Sequence, residues 1–132
     1  MGNKSWIDII EKIRSIHFHE KFDFIVAIAN GGIIPAALLN QRFGFEIHLL
    51  KLNLRDAQQQ KLYDTPKLLE EIKFDFEGKT ILLVEDRIKT GTTILYAKQL
   101  LAKAALIKTF AINGDADYCL FNETCFRVPW LV

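Results

Sequence analysis

The sequence is most informative at residues 81–93, which read ILLVEDRIKTGTT. Its first four residues, 81–84, form a short apolar run of the kind that is buried on both faces of a parallel sheet. Two acids, Glu85 and Asp86, follow directly, and a polar turn leads to a helix that is predicted to begin at Thr93. The segment therefore predicts a strand, a polar turn and a helix in succession.

The turn at residues 89–93 has the chemistry of an anion-binding site. Thr90, Thr92 and Thr93 offer hydroxyl donors, and the start of a helix offers unpaired N–H groups at the positive end of its dipole. Gly91 lets the backbone approach a ligand closely. The two preceding acids repel phosphate, but they can accept hydrogen bonds from sugar hydroxyls or supply oxygen ligands to Mg²⁺. A threonine-rich helix cap without any ligand is the alternative that this pattern leaves open.

Strands and helices alternate along most of the remaining chain. This order predicts an α/β fold with a mostly parallel sheet and helices on both faces, in one domain spanning residues 1–132. The predicted elements are a helix at 5–17, a strand at 24–29, a helix at 33–43, strands at 46–52 and 80–84, a helix at 93–105 and a strand at 106–112.

Three segments have a less definite pattern. Residues 53–66 are polar and contain three consecutive glutamines, which favours a mobile segment. Residues 68–72 are apolar but too short to assign, and the tail at 118–132 alternates aromatic and polar residues. Because ligands of parallel sheets bind at the carboxyl ends of the strands, the loops at 30–32 and 85–92 are predicted to form the site.

Composition excludes several classes of function. The 132 residues carry a net charge of +1 with lysines and arginines scattered, so no basic stripe indicates binding to nucleic acid. No apolar run approaches the roughly 20 residues that span a bilayer, and the first residues do not resemble a secretion signal. We therefore expect a cytoplasmic protein without membrane contact.

The metal-binding side chains are dispersed. Cys119 and Cys125 are expected to be free thiols in a reducing compartment. His17, His19 and His48 lie far apart in sequence and do not predict a zinc site.

Three segments resemble the type I phosphoribosyltransferase family. Residues 81–93 resemble its signature for 5-phosphoribosyl-1-diphosphate (PRPP), in which an apolar strand and two acids precede a Thr-Gly-x-Thr turn. Residues 25–37 are similar to its diphosphate loop, an apolar strand followed by a Gly-Gly turn and a helix carrying Pro-Ala. The tail at 116–132 is similar to the end of the small purine members of xanthine-guanine type, which frames the nucleobase pocket.

The resemblance, which covers residues 22–130, implies a fold and a reaction. It implies the single-domain phosphoribosyltransferase fold, with Mg²⁺ as cofactor. The implied glycosyltransferase reaction moves the 5-phosphoribosyl group of PRPP to a nitrogen of a nucleobase or similar acceptor and releases diphosphate. It further implies that the segment at 53–66 is a lid over the site.

The resemblance also assigns roles to individual residues. Glu85 and Asp86 would hold the ribose hydroxyls, with Asp86 nearest the metal, and Tyr118 and Phe126 would contact the base. Catalytic roles fall on Glu85, Asp86 and Lys89. The residues expected to bind PRPP are Asn30, Gly31, Glu85, Asp86, Lys89, Thr90, Gly91, Thr92 and Thr93.

Four positions depart from the pattern of the purine members. Lys89 stands where they usually have an aspartate that serves as general base, and a protonated lysine cannot accept a proton. Asn30 stands where a basic residue often contacts diphosphate, and Ile112 where a lysine reads the exocyclic oxygen of the base. Cys125 occupies the position of the tryptophan that stacks on the base, with Phe126 beside it.

These departures keep a second hypothesis open, a regulatory protein of the same fold that binds PRPP or a nucleotide and has little or no transferase activity. A receiver-like signalling domain is a weaker alternative. Only 46 residues follow Asp86, too few for the strands and helices that such a domain still needs. A homodimer is compatible with the apolar face of the predicted helix at 5–17.

Overall fold

The computed structural model describes residues 3–53 and 67–131. Its elements are α1 (Trp6–Ser15), β1 (Phe24–Ala29), α2 (Ile33–Phe43), β2 (Ile47–Asn53), β3 (Lys67–Leu68), β4 (Thr80–Arg87), α3 (Thr92–Leu100), β5 (Leu106–Asn113) and β6 (Tyr118–Phe121). The strands form one six-stranded sheet in the order β3-β2-β1-β4-β5-β6. All neighbouring strands are parallel except β2 and β3, which are antiparallel.

The sheet is buried on both faces, as the continuous apolar strands predict. In β1, Ile25 and Ala27 belong to the core cluster that includes α1 and α2, whereas Val26 belongs to the cluster that includes α3. Strand β4 alternates in the same way, with Leu82 on the first face and Leu83 on the second. The predicted α/β architecture with helices on both faces is confirmed.

Helix α1 begins with a capping box. The backbone N–H of Asp8 donates to the Ser5 hydroxyl over 3.2 Å, and the backbone N–H of Ser5 donates to the Asp8 carboxylate over 2.8 Å. The bond from the Ser5 N–H, and then a bond from the Ser5 hydroxyl to the same carboxylate over 3.0 Å, lower the pKa of Asp8. Ile9 and Ile13 are the buried residues of this helix, which ends at Ser15, two residues before the predicted end.

Helix α2 is bounded by two glycines. Gly32 precedes it at a close approach to the sheet, since a Cβ there would lie 2.4 Å from the carbonyl oxygen of Val84 and 2.8 Å from that of Ile28. Gly44 follows it with a left-handed φ of 77°, and its N–H donates to the carbonyl of Asn40. The predicted boundaries of this helix are confirmed.

Several predicted boundaries were wrong. Strand β4 continues beyond residue 84 to Arg87, so both acids lie within the strand, near its carboxyl end and beside β5. Helix α3 ends at Leu100 rather than at 105. Part of the unassigned apolar patch forms β3. Of the predicted lid, Asn53 ends β2 and residues 54–66 lie outside the described residues.

Strand β6 was not predicted. It runs parallel to β5 although only residues 114–117 connect the two strands. Asp117 holds this connection, because its carboxylate accepts bonds from the backbone N–H and the hydroxyl of Thr109, over 2.8 and 3.0 Å. The Thr109 hydroxyl accepts from the N–H of Asp117 in return, over 2.9 Å. Within the two described ranges, no helix is long and apolar enough to cross a membrane.

Candidate active site

The carboxyl ends of four parallel strands bring the predicted loops to one edge of the sheet. The turn at 30–32 follows β1, and the phosphate loop, which we define as residues 88–93, follows β4. Residues 114–117 follow β5, and residues 122–125, which we call the acceptor loop, follow β6. This convergence is the arrangement in which open α/β sheets bind their ligands.

Gly31, in the turn after β1, lies close to the carboxylates of Glu85 and Asp86. A Cβ at this position would lie 2.7 Å from Oδ1 of Asp86 and 2.8 Å from Oε1 of Glu85, closer than real Cβ contacts. With any other residue at this position, the turn after β1 or the two carboxylates would have to move. Asn30, the preceding residue, is exposed to solvent. The structure thus brings together the predicted diphosphate-contacting and acidic residues.

The two acids form a close pair at the end of β4. Oε1 of Glu85 accepts from the N–H of Asp86 over 3.0 Å, and Oδ1 of Asp86 accepts from the N–H of Arg87 over 2.7 Å. Burial raises the pKa of Glu85 well above its usual value, and the adjacent negative charge of Asp86 raises it further. A cation or a hydroxyl-bearing ligand would relieve this repulsion.

The donor set fits Mg²⁺. Hard cations of this kind take oxygen ligands, and Mg²⁺ is commonly bound by one or two carboxylates together with waters and substrate phosphates. Glu85 and Asp86 supply those carboxylates. In the part of the chain that the structure describes, no group of three or more metal-binding side chains occurs.

The phosphate loop has the backbone geometry that its sequence predicts. Gly91 is the N-cap of α3, has a left-handed φ of 81° and makes no side-chain cap bond. The hydroxyls of Thr90 and Thr92 lie 3.0 Å apart, and the N–H of Thr92 points toward Oγ1 of Thr90 at 3.3 Å. Thr93 follows in the first turn of α3, and Lys89 is exposed.

A pocket of about 570 Å³ lies between the phosphate loop and the acceptor loop. Its volume suits a small molecule. It is lined by Arg87, Ile88, Lys89, Thr90, Gly91, Asn113, Gly114, Asp115, Asn122, Glu123 and Cys125.

The two residues expected to contact the base lie away from this pocket. Phe126 is 7% exposed and packs edge-on against Phe121 in the core. Tyr118 packs edge-on against Phe18, and its hydroxyl donates to Glu20 over 2.5 Å. Desolvation, followed by that bond, raises the pKa of Tyr118. Cys125, the neighbour of Phe126, lines the pocket instead.

Sequence reasoning did not single out Asn113, Asp115, Asn122 or Glu123, all of which line the pocket. Asn113 and Asp115 could have been found, because they lie at the carboxyl end of β5, where the rule that selected the loops after β1 and β4 also applies. The two residues of the acceptor loop could not, because β6 was not predicted.

A family model described as the phosphoribosyl transferase domain matches residues 2–112 of the chain. The xanthine-guanine phosphoribosyltransferase of Gluconobacter oxydans is 30% identical over 118 residues, which cover 85% of this chain and 70% of the relative. That of Idiomarina loihiensis is 24% identical over 118 residues, covering 84% and 72%. A purine phosphoribosyltransferase structure from Pyrococcus horikoshii superposes with a TM-score of 0.79 at 21% identity, covering 98% of this chain and 94% of that one.

The fold and the convergent loops define an α/β protein of the type I phosphoribosyltransferase architecture. The chain belongs to the phosphoribosyl transferase domain family and is of the small purine type. Its named relatives are glycosyltransferases, which agrees with the predicted enzyme class.

Proposed function

We propose that this protein transfers the 5-phosphoribosyl group of PRPP to a purine base of xanthine-guanine type and releases diphosphate. The observation that carries the proposal is the contact of Gly31 with Glu85 and Asp86, beside a helix that begins at an uncapped glycine. Sites for diphosphate, for ribose hydroxyls and for a phosphate thereby share one edge of the sheet. The xanthine-guanine relatives support the choice of acceptor.

Each part of PRPP has a matching part of the site. The N–H groups and hydroxyls of Thr90, Thr92 and Thr93 would bind the 5-phosphate, and the Lys89 side chain would add positive charge. The backbone of Asn30 and Gly31 would bind the diphosphate, and the two acids would accept bonds from the ribose hydroxyls.

Mg²⁺, when bound, supplies positive charge to the departing diphosphate. Asp86 would hold the metal, with Glu85 as the second carboxylate nearby. Burial and the charge of Asp86 raise the pKa of Glu85, and a cation bound beside it would favour its ionised form.

The reaction breaks the bond between C1 of the ribose and the diphosphate oxygen and forms a bond from C1 to a ring nitrogen of the base. Positive charge develops on the ribose in the transition state, and the two carboxylates would stabilise it. The ring nitrogen loses its proton to water. No carboxylate stands at position 89 to take that proton, so the site favours an acceptor that ionises readily.

Two cations, Lys89 and Arg87, and two carboxylates, Asp115 and Glu123, line the pocket, and we propose that the cations face an acidic acceptor. Lys89 is exposed and lines the pocket, and Arg87 lines it beside Cys125. Positive charge at these positions stabilises a purine anion. Xanthine is a stronger acid than guanine, so we propose xanthine as the preferred acceptor.

Exposed apolar residues support the homodimer that we include in the proposal. Ile7 of α1 is 68% exposed and Leu131 is 58% exposed, and the ring of Trp6 lies 5.5 Å from that of Trp130. Large apolar patches on a surface commonly mark an interface. Sedimentation equilibrium should report twice the mass of one chain, and the mass of a single chain would contradict the dimer.

Calorimetric titration with PRPP, with and without Mg²⁺, tests the proposal. Saturable binding that requires Mg²⁺ is expected, followed by diphosphate release when xanthine or guanine is added. Binding without release for any purine would favour the regulatory hypothesis. The absence of PRPP binding under both conditions would refute the proposed function.

A further inference from the structure

We propose that Asn113 is a positioning residue that fixes the acceptor loop, residues 122–125, against the phosphate loop. The proposal rests on the proposed function, because it takes the pocket between these loops as the site of the acceptor base. Asn113 is the last residue of β5 and is only 9% exposed. No role was assigned to it by the sequence motifs.

The side chain of Asn113 makes two reciprocal hydrogen bonds to one residue of the acceptor loop. Its Nδ2 donates to the carbonyl oxygen of Glu123 over 3.2 Å, and its Oδ1 accepts from the N–H of Glu123 over 3.1 Å. The amide therefore pairs with the loop backbone as another strand would. An aspartate lacks the donor and an aliphatic residue lacks both groups, so this pairing is specific to an amide of this length.

The backbone of the same residue is bonded to the phosphate loop. The carbonyl oxygen of Asn113 accepts from the N–H of Ile88 over 2.9 Å, and Asn113 pairs with Arg87 in the sheet. Gly114 packs directly on Ile88, since a Cβ there would lie 2.5 Å from the Ile88 carbonyl oxygen. Asn113 is therefore hydrogen-bonded to both loops that line the pocket, through its side chain to the acceptor loop and through its backbone to the phosphate loop.

Two other contacts support the acceptor loop from more exposed positions. Lys4 forms an ion pair with Glu123 over 2.9 Å, and Arg87 donates to Sγ of Cys125 over 3.1 Å. Exposed ion pairs hold their partners weakly because solvent competes for them. The partly buried pairing with Asn113 is therefore the contact expected to set the position of the loop.

These contacts predict that Asn113 affects the binding affinity for some ligands and not for others. PRPP would occupy the phosphate loop and the acids, and it carries no base to contact the acceptor loop. A purine nucleoside monophosphate, the reaction product, would occupy both sides of the pocket. Loss of the amide should therefore weaken binding of the nucleotide and leave binding of PRPP almost unchanged.

The experiment compares the Asn113→Ala variant with Asn40→Ala, in which a remote asparagine loses a similar bond from its Nδ2 to the carbonyl of Phe45. Amide exchange of Glu123, followed by NMR, should accelerate about tenfold or more in Asn113→Ala only. The Kd for guanosine or xanthosine monophosphate should rise about tenfold, while that for PRPP changes by less than about twofold. KM for the base should rise more than kcat falls.

Unchanged exchange at Glu123 would overturn the proposal, and so would an equal loss of affinity for PRPP and nucleotide. If the wild-type protein binds neither PRPP nor nucleotide, the proposed function fails, and so does the idea that this pocket holds the base. Amide exchange of Glu123 still decides whether Asn113 fixes the acceptor loop. The isosteric variant Asn113→Asp keeps the oxygen that accepts a hydrogen bond from Glu123 and, when ionised, loses the N–H that donates one. It provides the same measurements if the alanine variant does not fold.

Discussion

At Gly31, the absence of a side chain lets the turn after β1 lie against the carboxylates of Glu85 and Asp86. The variant Gly31→Ala places a methyl group less than 3 Å from an oxygen of each acid, so the turn or the acids must move. We expect PRPP affinity to fall at least about tenfold, measured by calorimetry.

Gly78→Ala is the control for loss of a glycine, because a Cβ there would have open space although its φ is 71°. Its backbone strain costs about 1 kcal/mol of stability but should not alter PRPP affinity. Equal affinity of Gly31→Ala and the wild-type protein would show that the turn does not contact the ligand.

The charge of Asp86 belongs to the proposed metal site. Asp86→Asn keeps the shape of the side chain and its bond from the N–H of Arg87 but removes a negative charge. Mg²⁺-dependent PRPP affinity should fall about tenfold or more, while any Mg²⁺-independent binding should not weaken. Asp75→Asn, at an exposed turn before β4, is the control that should change neither. An unchanged Mg²⁺ dependence in Asp86→Asn would remove Asp86 from the metal site.

The charge at position 89 is expected to set the preferred acceptor. Lys89→Asp introduces a carboxylate that can accept the proton of a neutral purine and that repels a purine anion. The ratio of kcat/KM for guanine to that for xanthine should therefore rise, by about tenfold or more, since general bases contribute on the order of 10²-fold to rates. Lys73→Asp makes the same charge change at an exposed position outside the pocket. A ratio that moves equally in both variants would contradict a local effect.

At the scale of the elements, the short connection between β5 and β6 depends on one carboxylate. Burial by itself would raise the pKa of Asp117, but the bonds from the backbone N–H and hydroxyl of Thr109 outweigh it, and the pKa is lowered. A lowered folded-state pKa contributes stability above the unfolded pKa of about 3.9, and this stability is lost as pH falls through the folded value.

Asp117→Asn should accordingly destabilise the protein at pH 7 and much less at low pH. An amide oxygen still accepts from Thr109, without the charge, and Asp117 is exposed, so we expect a loss of about 1 kcal/mol at pH 7. Below about pH 3 the difference should nearly vanish, because the carboxyl is then protonated in both states. Urea unfolding at both pH values measures it. If the variant is less stable than the wild-type protein by the same amount at both pH values, the charge of Asp117 is not responsible for the loss.

At the scale of the whole molecule, ligand binding is coupled to folding. The site is assembled from the ends of β1, β4, β5 and β6, so it exists only in the folded chain. With PRPP and Mg²⁺ at about 100 times the Kd, the free energy of unfolding should rise by about 2.7 kcal/mol, or about 10 °C in Tm for a chain of this length. Differential scanning calorimetry measures the shift. Mg²⁺ alone is the control, and a shift of the same size with Mg²⁺ alone would contradict stabilisation by PRPP.

The sequence by itself determined the central strands, the helices and the two motifs of the phosphate and diphosphate loops. These features are local: a run such as residues 81–84 is buried whichever strand pairs with it, and the capping box at Ser5 needs only four consecutive residues. Gly44 likewise occupies the left-handed position that ends a helix, as its place after residues 33–43 predicts.

The tertiary structure decided which polar residues face one another. Strand β6 is stabilised by pairing with β5 and by a bond between Thr109 and Asp117, neither of which leaves a periodic pattern in the sequence. Phe126 is buried in the core and Cys125 lines the pocket. The sequence of the tail alone does not show which of these two neighbours faces the pocket. Asn113 acquires its proposed role only because β6 brings Glu123 within hydrogen-bonding distance. Contacts between residues distant in sequence depend on how the strands are ordered in the sheet, and that order is a property of the whole folded chain.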